Sequence, residues 1–140
     1  MGQMIELKTK DRQTISAYRA EPPGKPRGGL VVIQEIWGVN SHIRNVADGY
    51  AADGYLAIAP ALFDRVERGV VMDLYNPETM QKGFGFMQKV DTDNALLDVR
   101  AAVEAASAAG KVGVVGFCFG GKVAWLAASR LEGIAASVPY

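Results

Sequence analysis

The sequence has one cysteine in 140 residues, no excess of either charge and no long hydrophobic run, and each shortage closes off a class of protein. A lone cysteine makes no internal disulfide, and the N-terminus, Met1-Gly2-Gln3-Met4-Ile5-Glu6, has neither the basic nor the apolar segment of a secretory leader; both point to the cytoplasm. Lys plus Arg total 15 and Asp plus Glu total 15, with no long run of either, so no field singles out nucleic acid or an anionic membrane as a partner. The apolar stretches are broken by Gly, Lys or Arg well short of membrane-spanning length. Repeats and low-complexity segments are absent too. What is present is the composition of an ordinary soluble domain, 49% hydrophobic and 21% charged, in a chain long enough for one core. A small uncharged molecule is the partner that suits it.

Gln3 to Leu7 and Thr14 to Arg19, separated by the turn-like Lys10-Asp11-Arg12, read as an antiparallel hairpin at a sheet edge. Glu21-Pro22-Pro23-Gly24-Lys25-Pro26 then forms an irregular linker, because three prolines remove donors and fix φ. Residues 1–28 are thus an edge hairpin with its linker, and 29–140 the core of a single domain. Gly29-Leu30-Val31-Val32-Ile33 is a continuous apolar run, the pattern of a strand buried on both faces. From Ser41 the period becomes helical, with Ile43, Val46, Ala47, Tyr50 and Ala51 on one face, Asn40 or Ser41 as N-cap and Gly54 as the stop. Leu56 to Ala59 is a second buried strand. Asn76-Pro77-Glu78 opens a helix, but Gly83 and Gly85 weaken its later turns, so the segment reads as a loop with a short helix. A further helix runs from about Asp93 to Ala109, Val112 to Val115 is a third buried strand, Lys122 to Leu131 is helical, and Ile134 to Val138 begins another strand. Strands alternating with helices imply an α/β fold, a doubly wound, mostly parallel sheet with its site at the carboxyl ends of the strands.

The chemistry concentrates in Gly116-Phe117-Cys118-Phe119-Gly120-Gly121, between a buried strand and a helix. A nucleophile there sits where the chain reverses sharply, so its neighbours two before and two after must be small, as Gly116 and Gly120 are. The helix points its unpaired N–H groups and positive dipole end at the sulfur, making it more nucleophilic, and the N–H of Phe119 supplies half of an oxyanion hole. A cysteine taken alone reads as buried and inert; the glycine frame argues otherwise. Gly116 and Gly121 also match the outer positions of a dinucleotide-binding G-x-G-x-x-G, but Cys118 stands where the middle glycine must let a pyrophosphate approach. The second informative segment is Gln34-Glu35-Ile36-Trp37-Gly38, just after the first buried strand. Glu35 is either a surface ion-pairing residue or a carboxylate beside the thiol, the N–H of Ile36 would complete the oxyanion hole, and Trp37 reads as a pocket wall or core aromatic.

With both segments in hand, the sequence resembles the dienelactone hydrolase family, the cysteine-dependent branch of the α/β hydrolases. The match rests on Gln34-Glu35-Ile36-Trp37-Gly38-Val39-Asn40, on Ala52-Asp53-Gly54-Tyr55 leading to Ala59-Pro60-Ala61-Leu62, and on Lys111 through Gly121. The resemblance implies Cys118 as nucleophile, Glu35 as its carboxylate partner, Ile36 and Phe119 as oxyanion-hole residues, and hydrolysis of a lactone or carboxylic ester through an acyl-cysteine, with no metal or organic cofactor. An arginine and a tyrosine that hold substrate in the family are replaced here by Met80 and Phe84, with Lys82 the nearest cation; Phe84 and Trp37 are the pocket candidates.

The family continues through strands bearing an Asp and then a His, whereas the only histidine here, His42, precedes the nucleophile and reads as solvent-facing. The chain is therefore expected to be the N-terminal part of such a domain, cut short after the nucleophile helix, inactive or very weak alone, and open at the edge formed by Ile134 to Val138. Two other readings stand beside it. One is a non-catalytic binding or dimerisation module derived from such a hydrolase and self-associating through that edge; the other is a dinucleotide-binding domain.

Overall fold

In the computed structural model, which describes residues 1–140, the three buried apolar runs read from the sequence become β-strands. The hairpin forms as β1 (Gln3–Lys8) and β2 (Thr14–Ala20), paired antiparallel. After the proline-rich linker come β3 (Gly28–Ile33), α1 (Ser41–Ala52) and β4 (Tyr55–Pro60). Then α2 (Pro77–Lys89), α3 (Thr92–Ala106) with a 3₁₀ turn at Ser107–Ala109, β5 (Val112–Gly116), α4 (Phe119–Arg130) and β6 (Ile134–Pro139) complete the chain.

The six strands form one sheet in the order β1-β2-β4-β3-β5-β6. The β4-β3-β5-β6 part is parallel and the hairpin adds antiparallel at β4, so the linker connects two parts of one sheet. Helices cover both faces, as doubly wound sheets require. On one side α3 and α4 pack over Val31, Ile33, Ile58, Val112 and Val114; on the other α1 packs Ile43, Ala47 and Ala51 against Tyr18, Val32, Ala57 and Val115. Val31, Val32 and Ile33 are all fully buried. Each contributes roughly 1.5–3 kcal/mol by leaving water, which explains why β3 shows no polar alternation.

Three of the α-helices start on a side-chain cap: Asn40 accepts from Ile43 N–H at 3.1 Å, Asn76 from Thr79 N–H at 2.9 Å and Asp91 from Asn94 N–H at 2.9 Å. Each cap satisfies a first-turn donor that the helix itself cannot. α4 has none, since Cys118 occupies its N-cap position.

The segment expected to be a loop with a short helix is instead a helix of 13 residues. Its capping box, in which Asn76 and Thr79 bond reciprocally, offsets the low propensity of two glycines. Gly83 is also buried, and a Cβ there would run into the carbonyl of Ile36. Packing selects glycine at that position, and the helix tolerates it.

Candidate active site

The site is built by register. In the parallel pairing of β3 with β5, Ile33 lies opposite Gly116, so Glu35 and Cys118 each stand two residues beyond matched positions on neighbouring strands. The chain leaves β5 and enters α4 within two residues, and Cys118 is exposed at the turn with φ 57° and ψ −116°. Only Arg12 shares a positive φ among the non-glycine residues. A conformation this sparsely populated costs about 1–3 kcal/mol and persists where its surroundings enforce it.

Those surroundings are identifiable. A Cβ on Gly116 would collide with the carbonyl of Gly120, and one on Gly120 with the carbonyls of Ile33 and Gln34. The two glycines thus let the turn close on itself and let α4 start against the end of β3. The amide of Cys118 donates to Tyr140 O at 3.0 Å and the amide of Tyr140 donates to Gly116 O at 2.9 Å. The Tyr140 ring stacks on Phe117 at 5.4 Å. On the other side Phe119 stacks on Phe63, which stacks in turn on Phe86 of α2, with centroids 6.0 and 5.5 Å apart.

Backbone donors remain at the turn. Gly120, Gly121 and Lys122 bond to the carbonyls of Phe117 and Cys118. Phe119, as the first residue of α4, has no intrahelical acceptor. Across from it, the N–H of Ile36 has no acceptor in the structure, while the Ile36 side chain is buried under α2. Glu35 is half-buried, and its carboxylate is engaged in neither an ion pair nor a hydrogen bond. The sulfur of Cys118 likewise makes no hydrogen bond, so none joins the two side chains.

The remaining candidates lie on the segment after β3, on α1 and on α2. Trp37 is half-buried and meets Tyr75 edge-on at 4.7 Å, and its indole Nε1 is buried without an acceptor. Phe84 and Met80 are exposed on α2, and Lys82 pairs with Glu78 at 3.0 Å. His42 is exposed on the first turn of α1. A cleft of about 610 Å³ between the 67–72 segment and α2, which takes in Arg68, Lys82, Phe86 and Lys89, does not reach Cys118. A charge network is centred on the segment after β4: Arg65 bridges Asp11 at 2.7 Å and the fully buried Asp98 at 2.8 Å. Burial raises Asp98 to about 6 against the pull of Arg65, whereas the same guanidinium, together with the Thr9 hydroxyl, holds the exposed Asp11 well below the usual carboxylate range.

One residue of the site is visible in the sequence only as part of a motif. Gln34 is fully buried; it accepts from Leu62 N–H at 2.9 Å and donates to Glu35 O at 3.1 Å. A polar residue extending an apolar run is the signal that could have drawn attention to it.

Residues 15–140 match the family model described as "Dienelactone hydrolase family". A Synechocystis protein named as a candidate carboxymethylenebutenolidase is 40% identical over 121 residues, 82% of this chain and 49% of its own length. The carboxymethylenebutenolidase of Pseudomonas putida is 31% identical over 130 residues, 90% of this chain and 55% of its own. Among solved structures, a Klebsiella pneumoniae protein named as a candidate dienelactone hydrolase superposes with a TM-score of 0.81 at 29% identity, covering 97% of this chain and 57% of that one. An esterase of Pyrococcus furiosus shares the fold, at a TM-score of 0.63 and 19% identity over 96% of this chain and 48% of that one. The chain spans about half the length of the curated relatives it matches. The elbow between β5 and α4, the segment after β3 and the matched family model agree: this chain belongs to the dienelactone hydrolase family.

Proposed function

We propose that this chain carries the nucleophile-bearing part of a hydrolase of carboxylic esters or lactones, with Cys118 as nucleophile, Glu35 as its carboxylate partner, and the N–H groups of Ile36 and Phe119 as the oxyanion hole. The observation that carries the reading is the backbone of Cys118: exposed, at positive φ, between a buried strand and a helix, and framed by glycines whose Cβ positions are already filled. The Cys118 thiolate attacks the carbonyl carbon, a C–S bond forms, and the carbonyl π electrons move to oxygen, which the two N–H groups receive. Collapse breaks the C–O bond and expels the alkoxide with its electron pair, leaving an acyl-cysteine. Water then cleaves the thioester. That step needs a base; the resemblance assigns it to an Asp and His beyond these residues, and without one it loses a factor on the order of 10²–10⁴. A small ester or lactone is the substrate class, and Trp37 and Phe84 supply apolar contact along its approach.

Mixing the chain with p-nitrophenyl acetate tests this. A stoichiometric burst of p-nitrophenolate that leaves an acetylated Cys118 detectable by mass, and that disappears in Cys118→Ala, is the expected result. Equal nitrophenolate release by Cys118→Ala and the unsubstituted chain would defeat the reading.

A further inference from the structure

We infer that Gln34 is a positioning residue for the oxyanion hole, which rests on the assignment of Ile36 N–H to that hole. The carbonyl of Glu35 and the N–H of Ile36 belong to one peptide unit. All peptide bonds here are trans, so these two groups point in opposite directions across a rigid plane. Gln34 Nε2 donates to Glu35 O at 3.1 Å, and Gln34 Oε1 accepts from Leu62 N–H at 2.9 Å. Only one orientation of the amide makes both contacts donor–acceptor pairs. The side chain therefore ties the plane of the Glu35–Ile36 peptide to the backbone just after β4. Because that carbonyl is held from one side, the Ile36 N–H is aimed to the other, where it has no acceptor in the structure.

The tie is stiff at each end. Gln34 is fully buried, so its amide has no water to exchange partners with. Its own backbone carbonyl lies where a Cβ on Gly120 would fall, against the first turn of α4, and Leu62 is 1% exposed. The next peptide of the segment is confined by α2, whose Gly83 approaches the carbonyl and Cβ of Ile36. Both hydrogen bonds of the Gln34 side chain go to backbone groups, none to the thiol. Its effect is to prevent the 35–36 peptide from rotating its donor away as charge develops on the oxygen, the kind of preorganisation that makes such donors effective.

The experiment compares two reactions of the same sulfur. Acylation by p-nitrophenyl acetate passes through an oxyanion; alkylation by iodoacetamide is a direct displacement with none, and both require the Cys118 thiolate. Their rate ratio therefore cancels changes in thiolate content and access. In Gln34→Leu, and in Gln34→Glu near neutral pH, the ratio is expected to fall by roughly 10- to 100-fold, with alkylation kept within about twofold. In Gln34→Glu the ratio should recover as pH falls, because a protonated carboxyl donates to Glu35 O again, while in the unsubstituted chain it stays flat. If Gln34→Leu does not fold, Gln34→Glu decides alone. An unchanged ratio, or acylation and alkylation falling together, overturns the assignment. An unsubstituted chain that alkylates readily but forms no acyl-cysteine overturns the hydrolase reading itself, a result separable from either.

Discussion

At Cys118 the backbone conformation and the side chain make opposite demands on stability. With φ at 57° and ψ at −116°, any residue with a Cβ is strained, and glycine is not. Cys118→Gly is expected to be more stable than Cys118→Ala by about 1 kcal/mol, the strain relieved less the extra chain entropy of glycine; urea denaturation of the two variants checks it. At Asp98 the sign runs with pH. Its carboxyl titrates near 6 in the fold against an ordinary 3.8, because burial outweighs Arg65, so the folded chain holds that proton more tightly than the unfolded chain. Stability from this group is present below about pH 4 and is lost as pH rises through about 6. Asp98→Asn should flatten that part of the profile, seen as a smaller drop in urea midpoint between about pH 4.5 and about pH 7. Asp11 has the opposite sign, but its folded-state value is lowered, so its contribution changes only below that window. The sharp turn at Cys118 was legible in the sequence because the glycines around it state a steric requirement. The contacts of Gln34 were not, because its two partners lie one and 28 residues away and no local pattern encodes them.

Among the elements, the buried strands were legible because parallel strands covered on both faces are written as unbroken apolar runs, and Gly28–Ile33 and Val112–Gly116 are such runs. The length of α2 was hidden for a physical reason. Intrinsic propensity counts Gly83 and Gly85 alike, yet the first is packed against Ile36 and the second has open space where its Cβ would be. Substitution should separate them. Gly85→Ala is expected to stabilise by about 0.5–1 kcal/mol, the helix propensity difference alone. Gly83→Ala should destabilise by about 1–3 kcal/mol through overpacking against the Ile36 carbonyl, and should slow acylation as that carbonyl moves. Thermal melts of the two single variants, identical in chemistry and differing only in position along the helix, decide this.

On the scale of the whole molecule the sheet ends in two unlike edges. β1 carries Glu6 and Lys8, charges that discourage pairing with another chain, while β6 reads Ile-Ala-Ala-Ser-Val-Pro with no charge at all. Val138 on it and Tyr140 just after it are exposed, beside a groove of about 400 Å³ lined with Leu30, Tyr50 and Tyr55 that α1 leaves open. Association through β6 is the expected behaviour at high concentration. Sedimentation should show a weight-average mass rising with concentration, less steeply in Val138→Lys. Ile134 to Val138 was legible as a strand because it is an uncharged apolar run after a helical segment; the groove was not, because it depends on how far α1 reaches across the sheet. Edge and thiol are joined. The Cys118 amide bonds to the Tyr140 carbonyl and the Tyr140 amide returns to Gly116, so the turn that presents the sulfur is latched to the tail of the outermost strand. Fraying of that strand, or its capture by a neighbour, is transmitted to the thiol through two hydrogen bonds, which makes the alkylation rate of Cys118 a gauge of order at the rim of the sheet.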